Sequence, residues 1–421
     1  MPVLSSAQMD SKRLSVIYIS PCFPYPRHGF ELVELEELAT MVELKVVSLR
    51  KAPSEAWSWM GGRLALQPKK NYSALGAAGV VPGGPRLLLG AMKGRNTAKM
   101  CLQAFAMDLK GGLKTAISLL GGTIVARLAR QHKADFIHAD FASAPATVAM
   151  AASEQTGIPF TFCGHAFDIF SSKPGGKATE LLIKEKAKAA KAMFAENSKV
   201  VSQLQAMTGE TGKIHLKRNG IRGELRPPKD HRNDRPFLIV GLGGLVAKKG
   251  FDILVRAAAR LAERGSPVEV AIYGEGPERS RLEQLAQELR IPLKLPGAYR
   301  HSEVEKILDH AAVMALPSRV LRDNDSDGVP TVFLEALRCG VPIIGADVGS
   351  VRDIIRDSET GWLVRSDDVE DLTRALAECM SDGTRASQLC RRGQELLGAE
   401  FRASESSALM VQVWNDLLAR Q

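Results

Sequence analysis

The sequence predicts an α/β fold made of two doubly wound, Rossmann-like domains that face each other across a cleft. The chain has 421 residues, which is long for a single hydrophobic core. Short apolar runs alternate with helical patterns in both halves of the chain. A proline-rich, charged stretch, residues 226–233, separates the halves and has the composition of a linker. We therefore expect a first domain at residues 1–220 and a second at residues 234–400.

The first domain opens with a strand, a loop and a helix. Residues 14–20 are apolar and β-branched, which predicts a buried strand. A proline-rich loop ends at Gly29, and leucines at helical spacing then predict a helix over residues 31–40. Ligands bind where the carboxyl ends of strands meet such loops. Further predicted elements of this half are strands at 44–49, 134–139 and 157–162 and helices at 145–152 and 177–191.

The positive charge of the chain is concentrated in one part of the first domain. Residues 61–133 contain twelve Lys and Arg and one acid, Asp108, so this segment carries +11 and the remainder of the chain −2. Apolar patches, such as residues 113–120, lie between the basic residues. The segment could bind an anionic membrane surface, where each basic residue contributes about 1 kcal/mol, or it could be a solvated helical face. It has only two aromatic residues, which disfavours nucleic acid as a partner.

The second domain contains the unit on which the functional prediction depends. After a strand that ends at residue 316 come an acidic loop, a short helix at residues 331–339 and a strand at 341–345. Pro330 suits the first position of this helix, and Gly340 suits its left-handed end. The start of the helix offers free backbone N–H groups to a phosphate. Other predicted elements of this half are strands at 237–241 and 268–273 and helices at 251–264, 278–289 and 369–380.

The residues around this helix carry a resemblance. Asp327-Gly328-Val329-Pro330, followed by Leu-Glu335-Ala and a Gly-x-Pro sequence, resembles the E-x7-E region of the retaining, nucleotide-sugar-dependent GT4-type glycosyltransferases, which have the GT-B fold. It is similar to bacterial exopolysaccharide and colanic-acid-type enzymes. The resemblance implies that Glu335 holds the ribose hydroxyls of the donor and that Asp327 faces the transferred hexose. Asp327 stands where the family usually has Glu.

Other stretches of the second domain match the same family. The pattern after the first strand, Gly243-Gly244 to Lys248-Lys249, resembles a Gly-Arg-Leu…Lys-Gly motif whose Arg and Lys neutralise the donor diphosphate. Lys249 matches the lysine, whereas Gly244 occupies the arginine position. Gly276 matches a turn near the nucleotide base.

In the first domain the resemblance implies two further contacts. His165 matches a histidine that reaches the donor hexose from across the cleft, although a histidine at a strand end can also cap the next helix. Gly29 matches a glycine close to donor and acceptor, although the turn alone could require it. The resemblance also implies that the C-terminal helix, within residues 401–421, packs back on the first domain. Arg222 replaces the aspartate of the Asn-Gly turn at the domain boundary.

The sequence predicts no metal site and no cofactor apart from the nucleotide sugar. The acidic loop before Gly328 imitates the first half of an EF-hand, but its twelfth position is Leu334 and not Glu. A D-x-D sequence in the same loop, residues 323–325, is more typical of solvated acids. The six cysteines lack C-x-x-C pairing, as expected for free thiols in a reducing compartment.

The predicted function is a retaining transfer of a hexose from a nucleoside-diphosphate sugar to a glycan or polyprenyl-linked acceptor in bacterial surface polysaccharide biosynthesis. Electrostatic stabilisation of the leaving group would make a metal non-obligatory. Residues 1–11 lack a secretory signal, so we expect a cytoplasmic protein, with peripheral attachment to the inner face of the membrane through residues 61–133. Two alternatives are a non-catalytic sugar-nucleotide-binding scaffold and a nucleotide-sugar epimerase on the same fold.

Overall fold

A computed structural model describes residues 13–25, 29–52, 72–74, 95–107, 109–170, 176–229, 236–321 and 328–420. Within these ranges two parallel sheets are covered by helices, which confirms the prediction of two doubly wound domains. The strands are, in chain order, β1 Ser15–Cys22, β2 Glu43–Arg50, β3 Tyr72–Ala74, β4 Phe136–Asp140, β5 Phe160–Gly164, β6 Ala192–Ala195, β7 Ile214–Leu216, β8 Phe237–Leu242, β9 Val268–Tyr273, β10 Leu293–Gly297, β11 Val313–Leu316, β12 Ile343–Ala346 and β13 Trp362–Val364.

The strand order of each sheet defines where a ligand can enter. The first sheet has the order β3-β2-β1-β4-β5-β6-β7 and the second β10-β9-β8-β11-β12-β13. In each sheet the order reverses beside the first strand, between β1 and β4 and between β8 and β11. In open α/β sheets, ligands bind outside the carboxyl ends of the strands at this switch point. The two switch points therefore mark the predicted binding edges of the domains.

The helices cover both faces of the sheets. They are α1 Gly29–Met41, α2 Arg95–Met107, α3 Leu109–Gln131, α4 Ala144–Thr156, α5 Ala166–Phe170, α6 Gly176–Ala189, α7 Ser198–Thr208, α8 Phe251–Glu263, α9 Arg279–Glu288, α10 Val304–Leu308, α11 Thr331–Arg338, α12 Val369–Ser381, α13 Gly383–Glu400 and α14 Ala403–Ala419. Most predicted helices and strands occur with ends shifted by a few residues. The sequence analysis gave no bounds for the helices α2, α3, α5, α7, α10 and α13 or for several short strands, such as β3, β6 and β10. Helix α7 begins after Asn197, its N-cap, whose side chain accepts a hydrogen bond from Val200 N at 2.9 Å.

The last helix, α14, packs against the first domain. Trp414 is fully buried in a cluster with residues of β1, β4 and β6. Its indole Nε1 donates to Thr161 Oγ1 at 3.1 Å, and the same hydroxyl contacts His138 Nδ1 at 2.9 Å. Phe136 stacks on the indole with a centroid distance of 6.2 Å. The helix is thus held by both apolar contact and a buried hydrogen bond.

The boundary between the domains also explains a departure from the family pattern. Arg222 pairs with two acids of α1, Glu36 through Nη1 at 2.5 Å and Glu37 through Nε at 2.6 Å. An aspartate at this position would repel these carboxylates. Across the cleft, Asp353 accepts hydrogen bonds from Ser198 Oγ at 2.7 Å and from Arg218 Nη1 at 2.9 Å. These contacts join the two domains on either side of the cleft.

Candidate active site

A cavity of about 780 Å³ lies between the two domains and is lined by residues of both. In the first domain it is lined by loop residues after β1 and β4 and by the residues that follow β5 and β6. In the second domain it is lined by the end of β8, the turn that follows, and the start of α11. These are the carboxyl ends of strands at the two switch points, as the fold predicts.

The second-domain wall consists of glycine backbone and two lysines. Gly243, at φ +152°, follows β8, and Lys248 and Lys249 belong to the 3₁₀ turn Ala247–Lys249. The aliphatic part of Lys249 lies over Gly243, because a Cβ on that glycine would be 3.2 Å from Lys249 Cε. Gly243, Lys248 and Lys249 all line the cavity. The predicted phosphate-binding residues are thus brought together.

The start of α11 forms the other part of this wall. Pro330 is its N-cap, one position earlier than predicted, and Gly328, Val329 and Pro330 line the cavity with the first two helical residues. The first N–H groups of an α-helix have no intrahelical partner, and the helix dipole adds partial positive charge there. Gly340 ends the helical segment at φ +72°, as predicted. Asp327, the residue predicted to face the hexose, lies outside the described residues.

His165 is at the centre of the first-domain wall. It follows β5, is 3% exposed and lines the cavity. Both ring nitrogens contact carboxylates: Nε2 lies 2.6 Å from Asp140 Oδ1, and Nδ1 lies 2.9 Å from Glu196 Oε2. Burial alone would lower the pKa of His165, but the charges of Asp140 and Glu196 raise it well above its ordinary value. The ring is therefore an imidazolium clamped between two acids.

Asp140 and Glu196 were not predicted as site residues. They follow from the topology, since Asp140 ends β4 and Glu196 comes directly after β6. Glu196 lines the cavity and also accepts hydrogen bonds from Ala166 N at 2.8 Å and Asn219 Nδ2 at 3.0 Å. Polar residues at the carboxyl ends of adjacent parallel strands were the available signal. A Cβ on Gly328 would be 3.0 Å from Glu196 Oε1, so the two walls meet at this point.

Aromatic side chains surround the histidine. Phe141 stacks on the His165 ring at a centroid distance of 4.2 Å, and Phe30 lies at 5.1 Å. Phe141 has φ +87°, a conformation that bulky residues rarely adopt and that occurs most often at functional sites. Tyr25 and Phe30 line the cavity as well. This part of the wall can contact the apolar face of a sugar ring.

Glu335 is near the cleft but is not a lining residue of the cavity. Its carboxylate contacts His301 Nε2 at 3.3 Å and Arg338 Nε at 3.0 Å. Burial would raise the pKa of Glu335, but its hydrogen bonds and charge interactions with His301 and Arg338 lower it. Gly29 of the first domain packs on His301, since a Cβ on that glycine would be 3.3 Å from His301 Cδ2. Glu335 thus faces the domain boundary with His301 between it and the first domain.

Gly244 and Gly276 lie close to the lining residues but do not themselves line the cavity. A Cβ on Gly276 would meet Leu245 O at 2.3 Å, so the turn after β9 packs directly against the turn after β8. A Cβ on Gly244 would have one neighbour within 4 Å, Glu275 O at 3.7 Å. Position 244 therefore has room for a side chain. His138 is buried beneath α14, and burial lowers its pKa to about 3.

One group of residues has the composition of a metal site. Ligand atoms of Asp140, Cys163 and His165 lie within 4.8 Å of one another. However, His165 is held as a cation, and burial raises the pKa of the Cys163 thiol, so it carries its proton. The Lys217 ammonium, paired with Glu34, adds positive charge and lowers the pKa of Asp140 further. The protons of His165 and Cys163 thus occupy the positions at which these two side chains would bind a metal ion.

The family comparison matches the second domain of the chain. Residues 223–396 match the family model for glycosyl transferases group 1. The chain is 29% identical over 205 residues to the putative colanic acid biosynthesis glycosyltransferase WcaL of Escherichia coli K12, which covers 47% of this chain and 50% of that protein. It is 33% identical over 160 residues to the GDP-mannose-dependent alpha-(1-6)-phosphatidylinositol monomannoside mannosyltransferase of Mycolicibacterium smegmatis, covering 37% and 41%. The chain thus spans about half the length of these relatives.

Solved structures resemble the whole chain. HepE of Anabaena in complex with UDP gives a TM-score of 0.72 at 16% identity, covering 96% of this chain and 100% of that one. Sucrose-phosphate synthase of Thermosynechococcus elongatus gives 0.72 at 17% identity, covering 97% and 100%. These are GT-B proteins, so the predicted GT-B fold is confirmed.

Proposed function

Residues 223–396 of this chain are a domain of the group 1 glycosyl transferases, and from that premise we propose that the protein transfers a hexose from a nucleoside-diphosphate sugar to a glycan or lipid-linked acceptor in surface polysaccharide biosynthesis. The observation that carries the proposal is the interdomain cavity. Two lysines and a helix N-terminus line one wall of it, and aromatic side chains line the other. Relatives named for colanic acid and amylovoran biosynthesis support the pathway class.

The donor diphosphate would bind the second-domain wall. Lys248 and Lys249 supply positive charge, and the first N–H groups of α11 supply hydrogen-bond donors. These groups are fixed before the reaction and stabilise negative charge as it develops on the leaving phosphate. The lysines thereby provide the charge that a metal ion supplies in other transferases, so none is obligatory. The neighbour HepE binds UDP in its crystal structure, which supports a nucleotide at this wall.

The sugar would lie between the walls, close to Gly328 and His165. His165 lacks a spare ring nitrogen because Asp140 and Glu196 occupy both. Its role is therefore electrostatic, and no lining side chain is assigned as a nucleophile. The acceptor hydroxyl attacks C1 of the sugar as the bond from C1 to the phosphate oxygen breaks. The departing phosphate takes the hydroxyl proton, and attack on the face that the leaving group vacates retains the anomeric configuration.

Glu335 would hold the ribose hydroxyls after a small rearrangement. Its carboxylate contacts the His301 ring and is ion-paired to Arg338, and these interactions lower its pKa, which favours the negatively charged form. A ribose could replace His301 as the partner of Oε1 while Arg338 stays bound to Oε2. Asp327, just before Gly328, is proposed to face the hexose by the family resemblance alone.

Thermal-shift titration with UDP, GDP and ADP sugars, followed by product analysis, tests the proposal. At 100 times its dissociation constant, the correct donor stabilises the protein by about 2.7 kcal/mol. We expect Glu335→Gln to weaken donor binding by about tenfold, because a charged acceptor is replaced by a neutral one. The matched control is Glu305→Gln, because Glu305 also pairs with Arg338 but is not proposed to contact the donor. This variant should bind the donor normally.

Three outcomes would contradict the proposal in different ways. If no sugar nucleotide stabilises the protein, the cavity is not a donor site. If donors bind but are never consumed in the presence of glycan acceptors, the non-catalytic scaffold is favoured. Conversion of one sugar nucleotide to another in the absence of acceptor would indicate an epimerase.

A further inference from the structure

The helices α2 and α3 carry an apolar surface that faces outward. Five large apolar side chains on these two helices are exposed: Leu102 by 65%, Phe105 by 41%, Leu109 by 76%, Leu113 by 57% and Ile117 by 56%. Leu109, Leu113 and Ile117 are spaced by four residues and so lie on one side of α3. We call these five residues the apolar face. Single exposed apolar residues are ordinary, but a contiguous group marks an interaction surface.

Contacts with α4 fix the direction of both helices. The N-terminus of α2 is bound by Glu154, near the end of α4, through Thr97 N at 3.1 Å. The C-terminal part of α3 is bound there too, because Arg130 donates to the Gln155 carbonyl. At the middle of α3, a Cβ on Gly122 would be 2.5 Å from Ala151 Cβ. Helix α3 therefore runs parallel to α4, and α2 runs antiparallel to it.

This arrangement places three of the five residues of the apolar face at the cavity end of the domain. Phe105 is at the end of α2, and Leu109 and Leu113 are at the start of α3. By the directions above, these three lie at the same end of the layer as the start of α4. The first residues of α4 and the preceding Ser143 line the cavity. A surface that binds the apolar face would be adjacent to the cavity opening.

The charge around the apolar face is strongly positive. Residues 95–133 contain seven Lys and Arg and one acid, Asp108. Lys114 and Arg127 are exposed on α3, and at 100° per residue Arg127 falls on the side of Leu109. The nearby Glu154 binds the N-terminus of α2, and Glu185 pairs with Lys99 and Lys188. The partner of this surface should therefore be apolar and anionic.

Among the described helices, α3 contains one stretch, Gly111–Gln131, with the length and composition of a membrane-spanning segment. Its inner side is packed on α4, and 44% of its most apolar part is buried. Core helices of globular proteins have the same properties, so the finding by itself is weak. A helix with one side packed in the protein and an exposed apolar outer side is suited to lie along an apolar boundary.

We propose that the apolar face and its basic neighbours dock on an anionic lipid bilayer. The leucines, Phe105 and Ile117 would enter the boundary between headgroups and acyl chains, while Lys114 and Arg127 bind lipid phosphates. Aliphatic side chains dominate the face, which distinguishes it from a nucleic-acid surface, where bases stack on aromatic rings. Delivery of a lipid-linked acceptor to the cavity rests on the proposed function, whereas the docking itself does not.

Vesicle sedimentation of the full chain tests the docking without any turnover. Phosphatidylcholine vesicles with phosphatidylglycerol should bind the protein at low salt, and those without should bind it far more weakly. The triple variant Leu109→Ser, Leu113→Ser, Ile117→Ser should bind anionic vesicles at least tenfold more weakly. The double variant Lys114→Gln, Arg127→Gln should lose roughly 25-fold, about fivefold per charge, and should respond less to salt.

The matched control replaces exposed apolar residues outside α2 and α3. Leu216→Ser, Leu225→Ser and Val320→Ser remove side chains with 37%, 41% and 49% exposure and should leave vesicle binding unchanged. Circular dichroism checks that each variant is folded. Transfer to a water-soluble acceptor should be unaffected by the triple variant, which separates failure of docking from failure of the proposed function.

Other results would overturn the proposal. A wild-type protein that ignores anionic vesicles at low salt has no such surface. If sedimentation velocity shows a dimer that the triple variant dissociates, a second copy of the chain covers the apolar face. If the protein binds single-stranded RNA more tightly than vesicles and the triple variant does not alter this, the basic residues serve nucleic acid.

Discussion

The two walls of the cavity use their charges in opposite ways. On the second-domain wall, Lys248, Lys249 and the start of α11 direct positive charge toward the cavity. On the first-domain wall, the imidazolium of His165 lies between the carboxylates of Asp140 and Glu196 and offsets part of their negative charge. One wall is prepared for an anionic ligand, and the other is a rigid, internally bonded surface. A substitution on the second-domain wall should therefore affect mainly donor binding and turnover. A substitution on the first-domain wall should affect mainly the stability of the protein.

The largest effect is expected for Lys249→Met on the second-domain wall. Removal of a fixed positive charge beside the leaving group should lower kcat/KM by at least two orders of magnitude. The free energy of unfolding should change by less than about 0.5 kcal/mol, because the side chain is partly exposed and its stem is replaced by a similar one. Initial rates and urea denaturation measure the two quantities.

The control for this substitution is Lys294→Met. Lys294 is an exposed lysine on β10 that pairs with Glu269 at 2.8 Å, and its loss should leave kcat/KM unchanged. A Lys249→Met enzyme with normal turnover would show that the diphosphate does not bind this wall.

On the first-domain wall, His165→Gln should act mainly on stability. Without the imidazolium, the carboxylates of Asp140 and Glu196 remain buried with less compensation, which should cost about 3 kcal/mol of unfolding free energy. Nucleotide affinity, measured by calorimetry, should stay within twofold because the diphosphate contacts lie on the other wall. The control is His132→Gln, an exposed histidine of the same domain. Unchanged stability would mean that the two acids do not depend on His165.

The smallest effect, and the only expected gain, is for Gly244→Arg. This position has room for a side chain and lies beside the lysine turn. A guanidinium that reaches the diphosphate adds charge-assisted hydrogen bonds, so we expect donor affinity to rise by about tenfold. Gly244→Gln, which is long but uncharged, serves as the control and should change affinity by much less. Equal affinities for the Arg and Gln variants would place the diphosphate elsewhere.

The parts of the second-domain wall could be located from the sequence because each of them is contiguous. Pro330 and Gly340 mark the start and end of α11 by local backbone rules, and Lys248-Lys249 follow a strand and a glycine turn. Local signals of this kind need no knowledge of the tertiary structure. The assignment of Glu335 to the ribose remains a prediction, since the carboxylate is bound to His301 and Arg338.

The first-domain wall could not be predicted in the same way. His165 meets Asp140 across 25 residues of sequence and Glu196 across 31. These contacts depend on the order β4-β5-β6 in the sheet, which single residues do not reveal. Arg222 is similar, because its partner Glu36 is 186 residues away. In each case the partner of a charged side chain is far away in the sequence and is brought close by the order of the folded elements.

The burial of Trp414 beneath the first sheet has a consequence for synthesis of the protein. The indole covers Phe136 and shares a hydrogen-bond partner, Thr161, with His138, yet it is translated after every strand of both sheets. While the ribosome is still adding residues, the second domain already has all of its strands, and the first still lacks part of its core. The half of the protein that is made first is thus the half that is completed last.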